Sequence, residues 1–220
     1  MIDALSDRAK EEDLAVTCLY CNCRVQEDQT TTNMMGAILK QLVGMGGVPK
    51  DIRQAFQEAK KVVGGTRPLL EDLMRMLKIA IASFSQVFIC IDALDECLPK
   101  NLPELLESLR DITRGSPKTR IFLTGRPHVE EAIQRYFAKA IVIPISPHQN
   151  DIRNYLEMRL DRDDEPEAIN NDLRADIVRS GLPVNTEWLV IFIPGPKCGL
   201  NLVDFHLYWT SIWLPEIKES

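Results

Sequence analysis

Two short runs of this chain are almost wholly apolar, Gln86 to Ile91 (QVFICI) and Ala140 to Ile145 (AIVIPI), and a third of strand length, Thr119 to Thr124 (TRIFLT), has an apolar centre. A strand that is apolar on both of its faces must be covered on both, which points to a parallel sheet enclosed by helices. Leu14 to Cys23 (LAVTCLYCNC) is a further β-branched, apolar run of strand character. Segments with helical spacing separate these runs. Thr30 to Val43 places Met34, Met35, Ile38, Leu39 and Leu42 on one face, with Thr32 or Asn33 as a cap and Gly44, Gly46 and Gly47 as its end. Pro49 to Val63, closed by Gly64 and Gly65, and Pro68 to Phe84 follow, then Leu102 to Thr113, Val129 to Phe137 and Asp151 to Leu160. The strand–helix alternation predicts an α/β, doubly wound, mainly parallel sheet over residues 1–180. Beyond that the rhythm stops. Residues 181–220 hold all three tryptophans (Trp188, Trp209, Trp213), and their only charged residues are Glu187, Lys197, Asp204, Glu216, Lys218 and Glu219. They read as a divergent, aromatic-rich tail that is loosely packed or disordered.

Bulk properties narrow the function classes. Apolar residues make up 45% of the 220, enough for a sizeable core, and the net charge is -6. That charge argues against nucleic acid and against an anionic membrane as partners. The first residues, MIDALSDRAKEEDL, lack a signal-peptide core, and the stretch from Trp188 to Leu214 is broken by prolines and charges, so no membrane span is expected. A cytoplasmic location follows, and with it reduced thiols. Cys18, Cys21 and Cys23 sit close together in sequence. On a continuous strand Cys18 would face away from the other two, so they read as small core residues in preference to zinc ligands. Cys97 has no histidine nearby in sequence, and the adjoining carboxylates would raise its pKa and blunt it as a nucleophile. Ile2 to Leu5 repeats Ile91 to Leu94 letter for letter, but no apolar strand precedes the first copy, so it reads as a helical coincidence.

The chemically informative segment is Val87 to Cys97, VFICIDALDEC. An apolar strand delivers Asp92 to its carboxyl end, and Asp95 and Glu96 follow within one turn. Ligands of open α/β sheets bind at the carboxyl ends of strands. A carboxylate there can hold a hydrated Mg²⁺, and a second can orient or deprotonate an attacking water. The plainer alternative is an acidic loop near a helix N-terminus. Arg120 to Pro127, RIFLTGRP, is a second strand ending in polar residues, Thr124 and Arg126. A guanidinium at that tip can contact a terminal phosphate, or it can be a solvated side chain in a Gly-Pro turn.

Together these two segments resemble the Walker B strand and the sensor strand of NACHT domains, the first with four apolar residues, Asp, a small residue, an apolar residue and Asp-Glu, the second ending in Thr/Ser-x-Arg-Pro. One helix separates them, as in the family. From Met1 to about Arg179 the chain is similar to NACHT modules of large fungal STAND-type proteins, relatives of the NLR receptors, with a nephrocystin-like N-terminal NTPase module. The resemblance implies a P-loop NTPase sheet that binds ATP or GTP with Mg²⁺. Asp92 would be the metal-associated aspartate, Asp95 and Glu96 the catalytic acids that orient water, and Thr124 and Arg126 the nucleotide contacts, Arg126 as γ-phosphate sensor.

A Gly-x-x-x-x-Gly-Lys-Ser/Thr string, whose backbone amides and lysine cradle the phosphates, does not occur in the 220 residues. The resemblance puts that loop, and the first strand before it, upstream of Met1 to Lys10, which reads as the end of the following helix. It also puts that first strand centrally, between the strands matching Thr119–Thr124 and Ala140–Ile145. Its absence would leave two open strand edges in the core. Each unsatisfied buried backbone group costs about 1–3 kcal/mol against a typical stability of about 5–15 kcal/mol, so a poorly stable chain is expected unless another strand fills the gap. Trp188 to Ile193 (WLVIFI) is a candidate filler. Two functional expectations result. One is a fragment of a nucleotide-dependent signalling switch with binding and hydrolysis lost or much weakened. The other is a non-catalytic fragment that docks on full-length NACHT partners, as a homo- or hetero-oligomer, and modulates their assembly.

Overall fold

The computed structural model describes residues 14–62, 68–145, 149–161, 171–181 and 188–194. The Met1 to Lys10 helix, the Gly64-Gly65 closure, the Ile2 to Leu5 repeat and Trp209 and Trp213 lie outside them. The element order is β1 (Leu14–Tyr20), α1 (Thr31–Gly46), α2 (Lys50–Val62), α3 (Leu70–Ala82), β2 (Gln86–Asp92), α4 (Leu102–Gly115), β3 (Thr119–Gly125), α5 (Glu130–Tyr136), β4 (Ile141–Ile145), α6 (Gln149–Asp161), α7 (Asn171–Gly181) and β5 (Trp188–Ile193), with 3₁₀ turns at Cys23–Asp28, Leu94–Glu96 and Pro127–Val129. None of the described helices is long and apolar enough to cross a membrane.

Local chemistry sets the element boundaries. Thr30, not Thr32 or Asn33, caps α1, its side chain accepting from the Asn33 N–H at 3.2 Å. The helix stops at Gly47, whose φ of 78° suits a residue without Cβ. At the end of α3 the Ser83 hydroxyl donates to the Ala80 carbonyl at 2.6 Å. In α4, Pro103 stands in the first turn, where its missing N–H costs nothing. Helix α7 was not marked by the apolar runs; Arg174 ties it to α6 through Asp161 at 2.7 Å.

The sheet has five strands in the order β1-β2-β3-β5-β4. β1, β2 and β3 are parallel neighbours, with Ile89 opposite both Thr17 and Ile121. β5 runs antiparallel to β3 and to β4, with Ile191 opposite Leu123 on one side and Val142 on the other. The coarse expectation of an α/β sheet with flanking helices is met, but the sheet is mixed, because the strand between β3 and β4 comes from the far end of the chain and enters in reverse. It fills the slot in which two open edges were expected, so the backbone groups of β3 and β4 that face it are paired.

Alternate residues divide between two apolar clusters, as the period of a strand requires. The larger gathers Val87, Ile89, Ile91, Ile121, Leu123 and Ile191 from the sheet with Met35, Ile38 and Leu42 of α1, Met76, Leu77 and Ile81 of α3, and Leu105, Leu109 and Ile112 of α4. Each large apolar side chain fully buried here stabilises the fold by about 1.5–3 kcal/mol. The smaller lies on the opposite face and contains Val16, Phe88, Cys90, Phe122 and Phe192. Phe122 and Phe192, register partners across β3 and β5, have ring centroids 4.9 Å apart, within the range of attractive tilted pairs. At β1, the outer strand, the Gln41 side-chain amide accepts from the Cys18 N–H at 2.8 Å and donates to the Cys18 carbonyl at 2.9 Å. The helix residue thus imitates a neighbouring strand and blunts the edge.

Candidate functional site at the carboxyl ends of β2 and β3

Because β1, β2 and β3 are parallel and in register, their last residues emerge at one end of the sheet. Tyr20 lies opposite Asp92. In β2 every residue from Val87 to Ile91 is buried, and Asp92 is the first to reach partial exposure. Ala93 then adopts a left-handed conformation (φ 54°, ψ 48°), unusual for a residue with a Cβ. That turn drops Leu94 into the core with no exposed surface and starts the 3₁₀ turn that carries Asp95 and Glu96.

The neighbouring strand supplies the partners. The Thr124 hydroxyl accepts from the Ala93 N–H at 3.0 Å and donates to Asp92 Oδ1. Asp95, with a side chain only 6% exposed, accepts from the Arg126 N–H through Oδ1 at 3.3 Å and meets Arg126 Nε through Oδ2 at 3.4 Å. The Arg126 side chain itself is 58% exposed. Gly125 permits this approach: a Cβ there would stand 3.0 Å from Val129 Cγ2 and 3.3 Å from Asp95 Oδ1. Glu96 faces the other way, toward the segment leaving β1. Its Oε2 accepts from the Cys23 N–H at 2.8 Å, and its carbonyl accepts from Gln26 Nε2 at 2.7 Å.

The five residues singled out from the sequence therefore lie at one end of the sheet but do not converge on one point. Asp92 is joined to Thr124, Asp95 to Arg126, and Glu96 to the β1 exit. Among the described residues no three His, Cys, Asp or Glu side chains are grouped so as to hold a metal ion. A hydrated Mg²⁺, which takes few protein ligands, fits here only through the carboxylate of Asp92.

Sequence reasoning missed one feature of this end of the sheet. Cys21, the first residue beyond β1, continues the face of Ala15 and Leu19 into the main core, and its N–H donates to the Asp92 carbonyl at 3.0 Å. Its Sγ lies 3.0 Å from the Sγ of Cys97, both residues being buried. The expected raising of Cys97 by nearby carboxylates is reversed. The Cys21 thiol hydrogen bond holds Cys97 below the usual thiol range against burial and Asp95. Cys21 is pushed well up, by the same hydrogen bond first and by burial second. A spacing of 76 residues between the two left no local signal for the pair.

Fold and strand ends together define an α/β protein with a mixed sheet and a polar cluster where parallel strands end. The chain belongs to the family described as Nephrocystin 3, N-terminal, whose model matches residues 1–126. The match takes in β1, β2 and β3 with their polar ends as far as Arg126. No curated protein and no solved structure matches the chain.

Proposed function

We propose that this chain is part of a NACHT-type, P-loop-class nucleotide switch in which binding and hydrolysis of ATP or GTP are lost or much weakened. In this reading Asp92 is the position for Mg²⁺, Thr124 and Arg126 are the positions for nucleotide phosphate, and Asp95 and Glu96 are the positions that orient water. The observation that carries the reading is the cross-strand pairing of these groups, Asp92 with Thr124 and Asp95 with Arg126. Such a pattern of an acid at one strand tip and a cation at the next suits a site that reports a terminal phosphate. Here the cation is answered by Asp95, and no Gly-x-x-x-x-Gly-Lys-Ser/Thr string occurs in the 220 residues to cradle the other phosphates. A cytoplasmic location goes with this reading.

Thermal unfolding with Mg²⁺–ATP and Mg²⁺–GTP tests it. At about 1 mM nucleotide, a Kd of about 1 mM adds about 0.4 kcal/mol, which moves Tm by about 1 °C. The expected shift is no larger than that. A rise of about 5 °C would overturn the loss of binding. If such a rise survived Asp92→Asn and Arg126→Ala, the site assignment would fall as well. The alternative, docking on NACHT partners through exposed sheet edges or the aromatic tail, draws less support at the inner edges, because β5 pairs with β3 and β4, and at β1, where Gln41 occupies the edge at Cys18; β4 is the other edge strand.

A further inference from the structure

Cys21 and Cys97 face each other where β1 leaves the sheet and the acidic turn ends. Their sulfurs, 3.0 Å apart, need to move only about 1 Å closer to reach a disulfide bond length of about 2.05 Å. The surroundings hold them there. The Cys21 N–H donates to the Asp92 carbonyl at 3.0 Å, and the Cys97 N–H donates to the Leu94 carbonyl at 3.1 Å. Both residues are packed in the main core, 6% and 5% exposed. The two segments are also joined by Glu96, which binds the Cys23 amide.

We propose that Cys21 and Cys97 form a reversible two-electron redox site, oxidised by hydrogen peroxide to a disulfide that fastens the acidic turn to the end of β1. The chemistry balances without a cofactor. One sulfur attacks a peroxide oxygen, the O–O bond breaks, water leaves and a sulfenic acid remains. The second sulfur attacks that sulfur, the S–O bond breaks, and a second water leaves. Two thiols lose two electrons and two protons, and one peroxide becomes two waters. The inference needs no nucleotide and stands apart from the reading of the strand-end carboxylates. The other thiol pair, Cys18 and Cys90, lies in direct register across β1 and β2 and joins two strands that the sheet already fixes. Cys21 and Cys97 instead join two turns.

The test uses the full chain, reduced, freed of reductant and exposed to hydrogen peroxide, then blocked with iodoacetamide. Proteolysis after Tyr20 and before Asp92 separates Cys21 and Cys97 from Cys18 and Cys90, so mass spectrometry can assign the link. The expected product is a Cys21–Cys97 cross-linked peptide, two hydrogens lighter than its parts, that dithiothreitol resolves. The oxidised protein should melt about 5 °C higher, and Cys97→Ser should abolish that difference while Cys23→Ser keeps it. The mapping on unaltered protein stands even if a serine variant folds poorly. A Cys18–Cys90 link, a link between chains, or oxidation confined to Cys23 would overturn the proposal. So would a Cys21–Cys97 link that leaves Tm unchanged, since the turn would then not be fastened.

Discussion

The Thr124 hydroxyl stands between the Ala93 amide and the Asp92 carboxylate, accepting from the first at 3.0 Å and donating to the second. One side chain of β3 therefore holds both the last residue of β2 and the left-handed residue that follows it. Thr124→Val keeps the shape and removes both bonds, leaving a partly buried amide and a carboxylate oxygen without that partner. A loss of about 1–3 kcal/mol is expected, with Thr124→Ser close to the original protein. Urea unfolding measures both, and equal stability of the valine and serine variants would show that the bridge does not hold this corner.

Gly125 is required by proximity, not by its backbone angles. The missing Cβ leaves room for Val129 Cγ2 and Asp95 Oδ1. Gly125→Ala should cost about 1–3 kcal/mol through overpacking. Val129→Ala in the same chain should return part of that, giving a negative interaction energy in a double-mutant cycle. Strict additivity would mean that the clash lies elsewhere.

Asp95 and Arg126 form an unequal pair, 6% and 58% exposed. The guanidinium is solvated, so Arg126→Ala should cost under about 1 kcal/mol. Asp95→Ala removes in addition the acceptor for the Arg126 backbone N–H and should cost more, about 1–3 kcal/mol. Raising the salt concentration should narrow the Arg126→Ala effect further. An arginine substitution as costly as the aspartate one would contradict this division.

β5 is central to the sheet although it belongs to the aromatic-rich end of the sequence. Ile191 is fully buried, opposite Leu123 and Val142. Ending the chain before Trp188 should leave β3 and β4 with unpaired edges, abolish cooperative unfolding and drive aggregation. Ile191→Pro should do nearly the same in the full chain, since proline removes a ladder donor in an interior strand. Circular dichroism during heating and light scattering would register either effect. A soluble, cooperative truncated chain would show that the sheet does not depend on β5.

The apolar runs around Ile89, Leu123 and Ile143, and the helical spacing of Met35, Ile38 and Leu42, were sufficient to announce strands, helices and an α/β layering, because burial on both faces or on one stripe is written locally as a period. Asp92 at the end of such a run likewise announced its own exposure. What the tertiary structure alone decided is which distant groups meet. The apolar run Trp188 to Ile193 already offered itself for the slot between β3 and β4, but its antiparallel direction depends on backbone groups that are identical in every residue and carry no signature. The same holds for Ala93's left-handed turn, the locking of Asp95 by Arg126, and the meeting of Cys21 with Cys97. Each arises from contacts between segments far apart in the chain, and side-chain periodicity carries no information about such contacts.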